Sequence, residues 1–499
     1  MKTLLYILCL VPLFALSQSN YDAVIDERLR ATLLQHKEFV SIPNLPESPE
    51  LMLENIAWVE KKYEALGFTT TRLKSETLPI LLAEKIYDPA LKTILFYVHI
   101  DGQPVNPAVW DQEDPFTPVL KKQDPSGTWT AMGWDELNQK INDEWRIYGR
   151  AAADDKAPIL MFITALEILQ EQGKTPNFNI KVIFDPQEEY GSTALLGTLD
   201  TYKNRYAADY FIVMDGPAHS SNKPTLTFGC RGIATCEITT HGAALPQHSG
   251  HYGNYVPNPA FRLSHLLSSM KNDDGKVLID SYYDGITISQ EEALVMQSVP
   301  FTAASFNKKL GLHSAEKVGE NYQEALQYPT LNVRQLNTSW TGKGLKTVVP
   351  STATAHLDVR LVPEINGDDQ LDKIKKHISN EGYFVLDRLP TAQERLTHKR
   401  IATVKTKTLV NAFRTSPQGD FGVKMRQRLT QVFNEEPVTI RMMGGTVPIV
   451  PLINTLNLPT VILPLVNMDN NQHNPNENIR IGNIRQGIKV CLGLFETNF

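Results

Sequence analysis

The chain has 499 residues, 42% of them hydrophobic, which is enough for a large buried core spread over more than one domain. Its formal charge of -6 is carried without acidic or basic runs, which excludes a nucleic-acid partner held by broad positive potential. No internal repeat or low-complexity stretch points to a solenoid or a linker-rich scaffold.

The first residues, MKTLLYILCLVPLFALSQSN, join a basic start at Lys2 to an apolar stretch from Leu4 to Leu16 and a small-x-small site at Ala15-Leu16-Ser17. That pattern predicts an export signal over residues 1–17, with the mature chain starting near Gln18 in the periplasm or the medium. The stretch is short for a membrane-spanning helix; an uncleaved anchor is the lesser alternative, and no later stretch reads as a span. Cys9 falls inside the apolar stretch. Cys230, Cys236 and Cys491 show no zinc-type spacing and are expected as buried free thiols, so a metal here is not held by cysteine.

From Asn20 to about Phe228, helical and apolar extended patterns alternate. ENIAWVEKKYEALG has helical spacing and stops at Gly67, and KTILFYVHID reads as a strand. APILMFITALEILQEQG is a long helix ending at Gly173, followed by strands in NIKVIFDPQEEYGS and DYFIVMDGP. Apolar strands separated by helices predict an α/β sheet covered on both faces, with ligands binding beyond the carboxyl ends of its strands. Between Phe228 and about Lys399 the texture changes. ATCEITTHG, TLNVRQLNT and ATAHLDVRLVP alternate like antiparallel strands, with helices at NPAFRLSHLLSSM and DDQLDKIKKHI. FGVKMRQRLTQVF, NTLNLPTVILPL and NENIRIGNIRQGIKVCLGLFETN then return to alternating helix and strand. The expectation is an α/β catalytic domain over residues 18–228 and 400–499, interrupted by an inserted α+β domain over 229–399.

The strands of the first part end in acidic or imidazole groups. FYVHID supplies His99 and Asp101, which lie two apart and so on one face of a strand, with the carboxylate able to orient the ring. GRAAADDKAP supplies Asp154 and Asp155; KVIFDPQEEYGS supplies Glu188 and Glu189; FIVMDGP supplies Asp215; and NNQHNPNENI supplies His473. Each has an ordinary explanation taken alone: a strand end, a helix cap, a solvated turn, an asparagine-rich loop. Their occurrence in this order at strand exits is harder to assign to chance. Carboxylates gathered on one rim repel, and one or two divalent cations would resolve that repulsion. Imidazole and carboxylate without thiolate suit zinc, manganese or cobalt, while calcium is a poorer partner for imidazole.

The ordered set VHIDGQP, YGRAAADDKAP, QEEYGS, VMDGP and HNPNENI resembles the di-zinc metallopeptidase family of carnosinase-type dipeptidases, glutamate carboxypeptidases, aminoacylases and succinyl-diaminopimelate desuccinylase. QHSGHYGN, Arg231-Gly232 and RLVP favour the dipeptidase branch. The resemblance implies a zinc-peptidase-like α/β catalytic domain with a central mixed sheet, an inserted lid that also dimerises, and two metal ions, zinc before manganese or cobalt. It implies that His99, Asp154 and Asp215 hold one ion, and that Asp154, Glu189 and His473 hold the other. Glu188 becomes the general base, Asp101 orients His99, and a cis peptide follows the bridging Asp154. His248 is expected to reach the active site from a partner subunit's lid and stabilise the oxyanion. Asn332, Arg360 and Thr446, the last in the glycine-rich GGTVP, match substrate-binding positions. The chain departs from the family's usual GRG and DDKG at Ala151 and Ala157, and places Asn254 after Gly253 where a second glycine is common. These changes leave every expected ligand in place and bear on loop geometry.

The resulting expectation is an exported dipeptidase acting through a water that bridges two ions, on dipeptides or short peptides, as a homodimer. The alternatives are an N-acyl-amino-acid deacylase or carboxypeptidase with the same metals, and a non-catalytic binding protein on this fold.

Overall fold

A computed structural model describes residues 21–339 and 347–499, so the export signal expected over residues 1–17 lies outside the described residues. Its central sheet has eight strands in the order Thr69–Leu73, Ile80–Lys85, Asn179–Asp185, Thr93–His99, Tyr210–Val213, Thr460–Ile462, Thr225–Thr227 and Val438–Ile440. Asn179–Asp185, Thr93–His99, Tyr210–Val213 and Thr460–Ile462 run parallel to their neighbours in this group, while the first two strands are antiparallel, so the sheet is mixed. Thr93–His99 is buried almost throughout, as its unbroken apolar run requires of a strand covered on both faces. Helices Tyr21–Val40, Lys156–Glu171 and Ile481–Phe495 share the core on one face with Phe96, Phe162 and Phe495. Helix Val450–Leu456 packs with Tyr97, Phe211 and Ile462 on the other face. The helix expected in ENIAWVEKKYEALG spans Pro49–Ala65, and Gly67 leaves it at φ +78°. The long buried helix is Lys156–Glu171, and Tyr21–Val40 adds a helix that the sequence patterns did not mark.

A second sheet, of five strands, runs Asn332–Thr338, Thr352–Leu361, Gly232–His241, Ile401–Val410 and Phe384–Leu386. Helices Pro259–Met270 and Gly367–Asn380 pack on it through Leu263, Leu266, Leu371 and Ile374. Ile401–Val410 pairs along the length of Gly232–His241, so this sheet continues past the boundary expected at residue 399. Cys230, Cys236 and Cys491 are free and buried. Among the described residues, no helix is long and apolar enough to cross a membrane.

One small antiparallel sheet matters for the site. Asn478–Arg480 pairs with Arg146–Tyr148, which lays the loop before the first strand beside the loop after the second. Those loops carry His473 and Asp154.

Candidate metal centre

Parallel strands that end at one edge bring their exits together. In the ladder, His99 is the partner of Asp185, the last residue of the strand that leads to Glu188 and Glu189. Asp215 follows the adjacent Tyr210–Val213. Asp154 closes a buried loop whose next peptide, Asp154–Asp155, is cis, as the resemblance implied. His473 arrives on a turn at φ 62°, with Asn471 and Asn476 also left-handed. Asparagine tolerates that conformation better than most residues, which gives the asparagine-rich stretch a structural reason.

The donor atoms of His99, Asp154 and Asp215 lie within 4.8 Å of one another, and so do those of Asp154, Glu189 and His473. Asp154 belongs to both groups. His99 Nε2 is 2.8 Å from Asp154 Oδ1 and 3.9 Å from Asp215 Oδ1. His473 Nε2 is 3.1 Å from both Asp154 Oδ2 and Glu189 Oε2. Glu188 belongs to neither group but lines the same cavity. Burial, against the pull of His99, holds Asp215 up at about 6, with Asp154 and Glu189 adding to the rise. Glu188 is pushed well above the usual carboxylate range by burial, opposed by His99 and reinforced by Asp215, Asp154 and Glu189. Hydrogen bonds to Asp154 and Glu189 raise His473 to about 10. The cluster thus has more negative charge than its own side chains can neutralise without taking up protons, which is the electrostatic signature of a cation site.

Further carboxylates hold this geometry. Asp101 Oδ1 lies 3.3 Å from His99 Nδ1, and its two oxygens accept the backbone N–H groups of Glu188 at 3.0 Å and Glu189 at 3.1 Å. One buried carboxylate therefore orients a ligand ring and fixes the turn bearing the acidic pair. Gln103 Nε2 donates to Glu189 Oε2 at 2.7 Å. Glu477, which the sequence reading passed over inside NPNENI, is buried and accepts from the backbone N–H groups of Ala151, Ala153 and Asp154 at 2.9, 3.0 and 2.9 Å. Its remaining partner is Arg150 Nη1 at 2.8 Å. The available signal was an acid four residues after a candidate histidine ligand. His36 Nε2 donates to the Ala152 carbonyl at 2.8 Å, and Lys156 Nζ reaches the Phe39 and Ile42 carbonyls at 2.8 and 2.6 Å, so the first helix braces the same loop.

The expected substrate contacts divide. Arg360 Nη1 donates to Thr446 Oγ1 at 3.0 Å, which brings two of them together, whereas Asn332 is exposed on the outer strand of the second sheet. His248 is exposed as well; its Nδ1 accepts from the Gly250 N–H at 3.1 Å and its Nε2 lies 3.3 Å from Thr347 Oγ1. None of these four lines the cavity of about 820 Å³ that contains Asp154, Glu188, Asp215 and His473.

Comparison with known proteins agrees with this geometry. The family model for peptidase family M20/M25/M40 matches residues 95–497, an interval containing every residue of both donor groups. The chain belongs to that family. It is a metallopeptidase, a hydrolase of peptide bonds. The peptidase is 26% identical over 421 residues to the Cys-Gly metallodipeptidase dug1 of Schizosaccharomyces pombe, covering 83% of this chain and 81% of that one. It is also 26% identical over 432 residues to the Beta-Ala-His dipeptidase of Homo sapiens, covering 84% and 77%. The solved M20 family metallo-carboxypeptidase Sso-CP2 from Sulfolobus solfataricus superposes with a TM-score of 0.71 at 26% identity, over 94% of this chain and 99% of that one.

Two imidazoles and carboxylates only, packed around one shared aspartate, fit two divalent ions, and the donor set favours zinc. When bound, such ions would lower the pKa of a coordinated water and polarise a carbonyl.

Proposed function

We propose that the peptidase hydrolyses the peptide bond of dipeptides. His99, Asp154 and Asp215 hold one ion and Asp154, Glu189 and His473 the other. The observation that carries this reading is the sharing of Asp154 by two donor groups, with Glu188 beside both and belonging to neither. A base cannot abstract a proton while tied up as a ligand, so Glu188 takes a proton from the attacking water and delivers it to the departing amine. Asp101 orients His99 and seats Glu188 through the backbone. Arg360 and Thr446, which pair with each other outside the cavity lining, are candidate contacts for a substrate carboxylate or carbonyl, and the exposed Asn332 is a further one. Similarity to two dipeptidases, one named for Cys-Gly and one for Beta-Ala-His, supports dipeptides as the substrate class.

The same reading makes the protein exported, through the signal over residues 1–17, and dimeric. His248 lies outside the cavity of its own chain, which supports a role for it in a second copy. The exposed outer strand Asn332–Thr338 and the exposed Leu245, Tyr255 and Phe261 of the inserted domain offer a surface for that copy.

The test is release of amino acids from dipeptides and from N-acetyl amino acids, with and without chelator. Dipeptides are cleaved, chelator abolishes cleavage, and added zinc restores it. Glu188→Gln keeps its metal and loses activity by about 100-fold or more. Preferential cleavage of N-acetyl amino acids would instead establish the deacylase, and undiminished activity in the Gln variant would remove Glu188 as the base.

A further inference from the structure

The cavity that starts at the acidic cluster continues beneath a segment of the inserted domain. Phe301, Phe306 and Tyr322 line it there, and Met443 and Val447 line it from the catalytic half. The three aromatic rings form one cluster. Phe301 and Tyr322 stack at 5.6 Å between centroids, and Phe306 meets Phe301 at 5.3 Å and Tyr322 at 5.0 Å. Even so, Phe301 is 39% exposed and Tyr322 40% exposed, so large apolar side chains face an open cavity beside a charged centre. Isolated exposed rings are ordinary, but rings converging on a cavity are the lining expected of a ligand site.

This wall is fastened on both sides. Ahead of it, the buried Arg441 guanidinium binds Glu292 Oε1, at 3.1 Å through Nε and 2.5 Å through Nη2. Behind it, Arg231 donates to the Leu326, Ala325 and Tyr328 carbonyls at 2.8, 2.6 and 3.0 Å. Arg441 thus ties the segment to the catalytic half through a carboxylate, and Arg231, at the start of the inserted domain, ties down its far end through backbone carbonyls. A fixed wall selects by shape and polarity better than a loose one.

We infer that the peptidase selects dipeptides carrying a large apolar or aromatic side chain, which seats against Phe301, Phe306 and Tyr322 while the scissile bond lies at the acidic cluster. The inference rests on the dipeptidase reading and adds to it the substrate's side-chain class. The rival occupant is an acidic side chain drawn by Lys309, which lines the same cavity.

The experiment compares Gly-Gly, Phe-Gly, Gly-Phe, Asp-Gly and Gly-Asp on the zinc-loaded full chain. A phenylalanine peptide exceeds both Gly-Gly and the aspartate peptides in kcat/KM by about tenfold or more. Phe301→Ala and Phe306→Leu each cut that advantage by about threefold or more, with loss of a few wall contacts as the cause. An acidic preference, or an advantage unchanged in both variants, overturns the inference. Should none of the five peptides be cleaved, it is the dipeptidase reading that falls. Calorimetric binding of the same peptides then decides the wall: tighter binding of a phenylalanine peptide, weakened by Phe301→Ala, upholds it, and equal binding overturns it.

Discussion

Glu477 shows how much of the centre depends on residues that touch neither metal nor substrate. Its carboxylate faces donors only: the N–H groups of Ala151, Ala153 and Asp154, and the Arg150 guanidinium. An amide has a single acceptor oxygen, so Glu477→Gln must turn an N–H₂ towards some of those donors. Leaving a buried guanidinium without its anion costs about 3 kcal/mol or more. Because that loop carries Asp154, zinc affinity should fall by about tenfold or more, as for other supports of ligands. Competition against a chromophoric chelator measures this, with thermal unfolding run alongside; lowered stability with unchanged zinc affinity would show that the loop keeps its shape without Glu477. The sequence made the candidate ligands visible because their chemistry is rare at strand exits. It concealed Glu477 because a carboxylate bound to backbone N–H groups leaves no side-chain partner to be seen at a fixed spacing. Asp101 was half visible: its place beside His99 follows from strand alternation, but its grip on the Glu188–Glu189 turn crosses between strands.

At the scale of elements, the first helix acts as a brace for the metal loop, and His36 is one of its contacts, beside the Phe39 carbonyl that holds Lys156. Burial lowers its pKa from 6.5 to about 4, Lys156 also pressing it down while the Ala152 carbonyl opposes. Between those values the unfolded chain holds a proton that the folded chain does not, so folding loses stability as pH falls from 6.5 towards about 4. The full swing is about 3 kcal/mol for one group. Asp185 acts in the opposite sense, since burial raises it to about 6 and makes folding take up a proton as pH falls. The difference in unfolding free energy between the native chain and His36→Gln removes Asp185 from the comparison. That difference should shift against the native chain on going from pH 7 to pH 4, as read by urea unfolding at each pH; a pH-independent difference would show that His36 does not titrate with folding. Thr93–His99, Asn179–Asp185 and Tyr210–Val213 were legible as apolar runs, because a covered parallel strand has to be apolar along its whole length. Gly232–His241, Asn332–Thr338 and Thr352–Leu361 were legible from alternation, whereas Thr69–Leu73 and Ile80–Lys85 towards the first sheet's edge were not marked. Tyr21–Val40 was not marked, although Tyr21, Ile25, Leu29, Leu33 and Val40 recur at helical spacing; the polar Thr32 and His36 sit in the same buried stripe and are paired there through Thr164 and the Ala152 carbonyl. The extension of the second sheet to Val410 was hidden for a related reason: Ile401–Val410 is assigned by its partner strand, and local pattern does not name a partner.

At the scale of the whole molecule, the proposed dimer is testable through His248. His248 follows the second-sheet strand Gly232–His241, is exposed, and lies outside the cavity that contains Glu188. If it serves a partner's centre, each complete site takes Glu188 from one chain and His248 from the other. A heterodimer of Glu188→Gln with His248→Ala then contains one site with both residues native and one with neither. The two variants assayed separately should be nearly inactive, and after mixing and subunit exchange activity should return. Random pairing makes half the dimers mixed, each with one working site of two, so recovery should approach about a quarter of the native rate. The reading is specific because neither a purely structural His248 nor an intrachain one permits recovery: both defects would remain in the chains that carry them. Sedimentation of the mixture checks that dimers are present, and Leu336→Lys should abolish the recovery if the outer strand forms the proposed subunit contact. Failure to recover activity in a mixture shown to contain mixed dimers would confine His248 to its own chain.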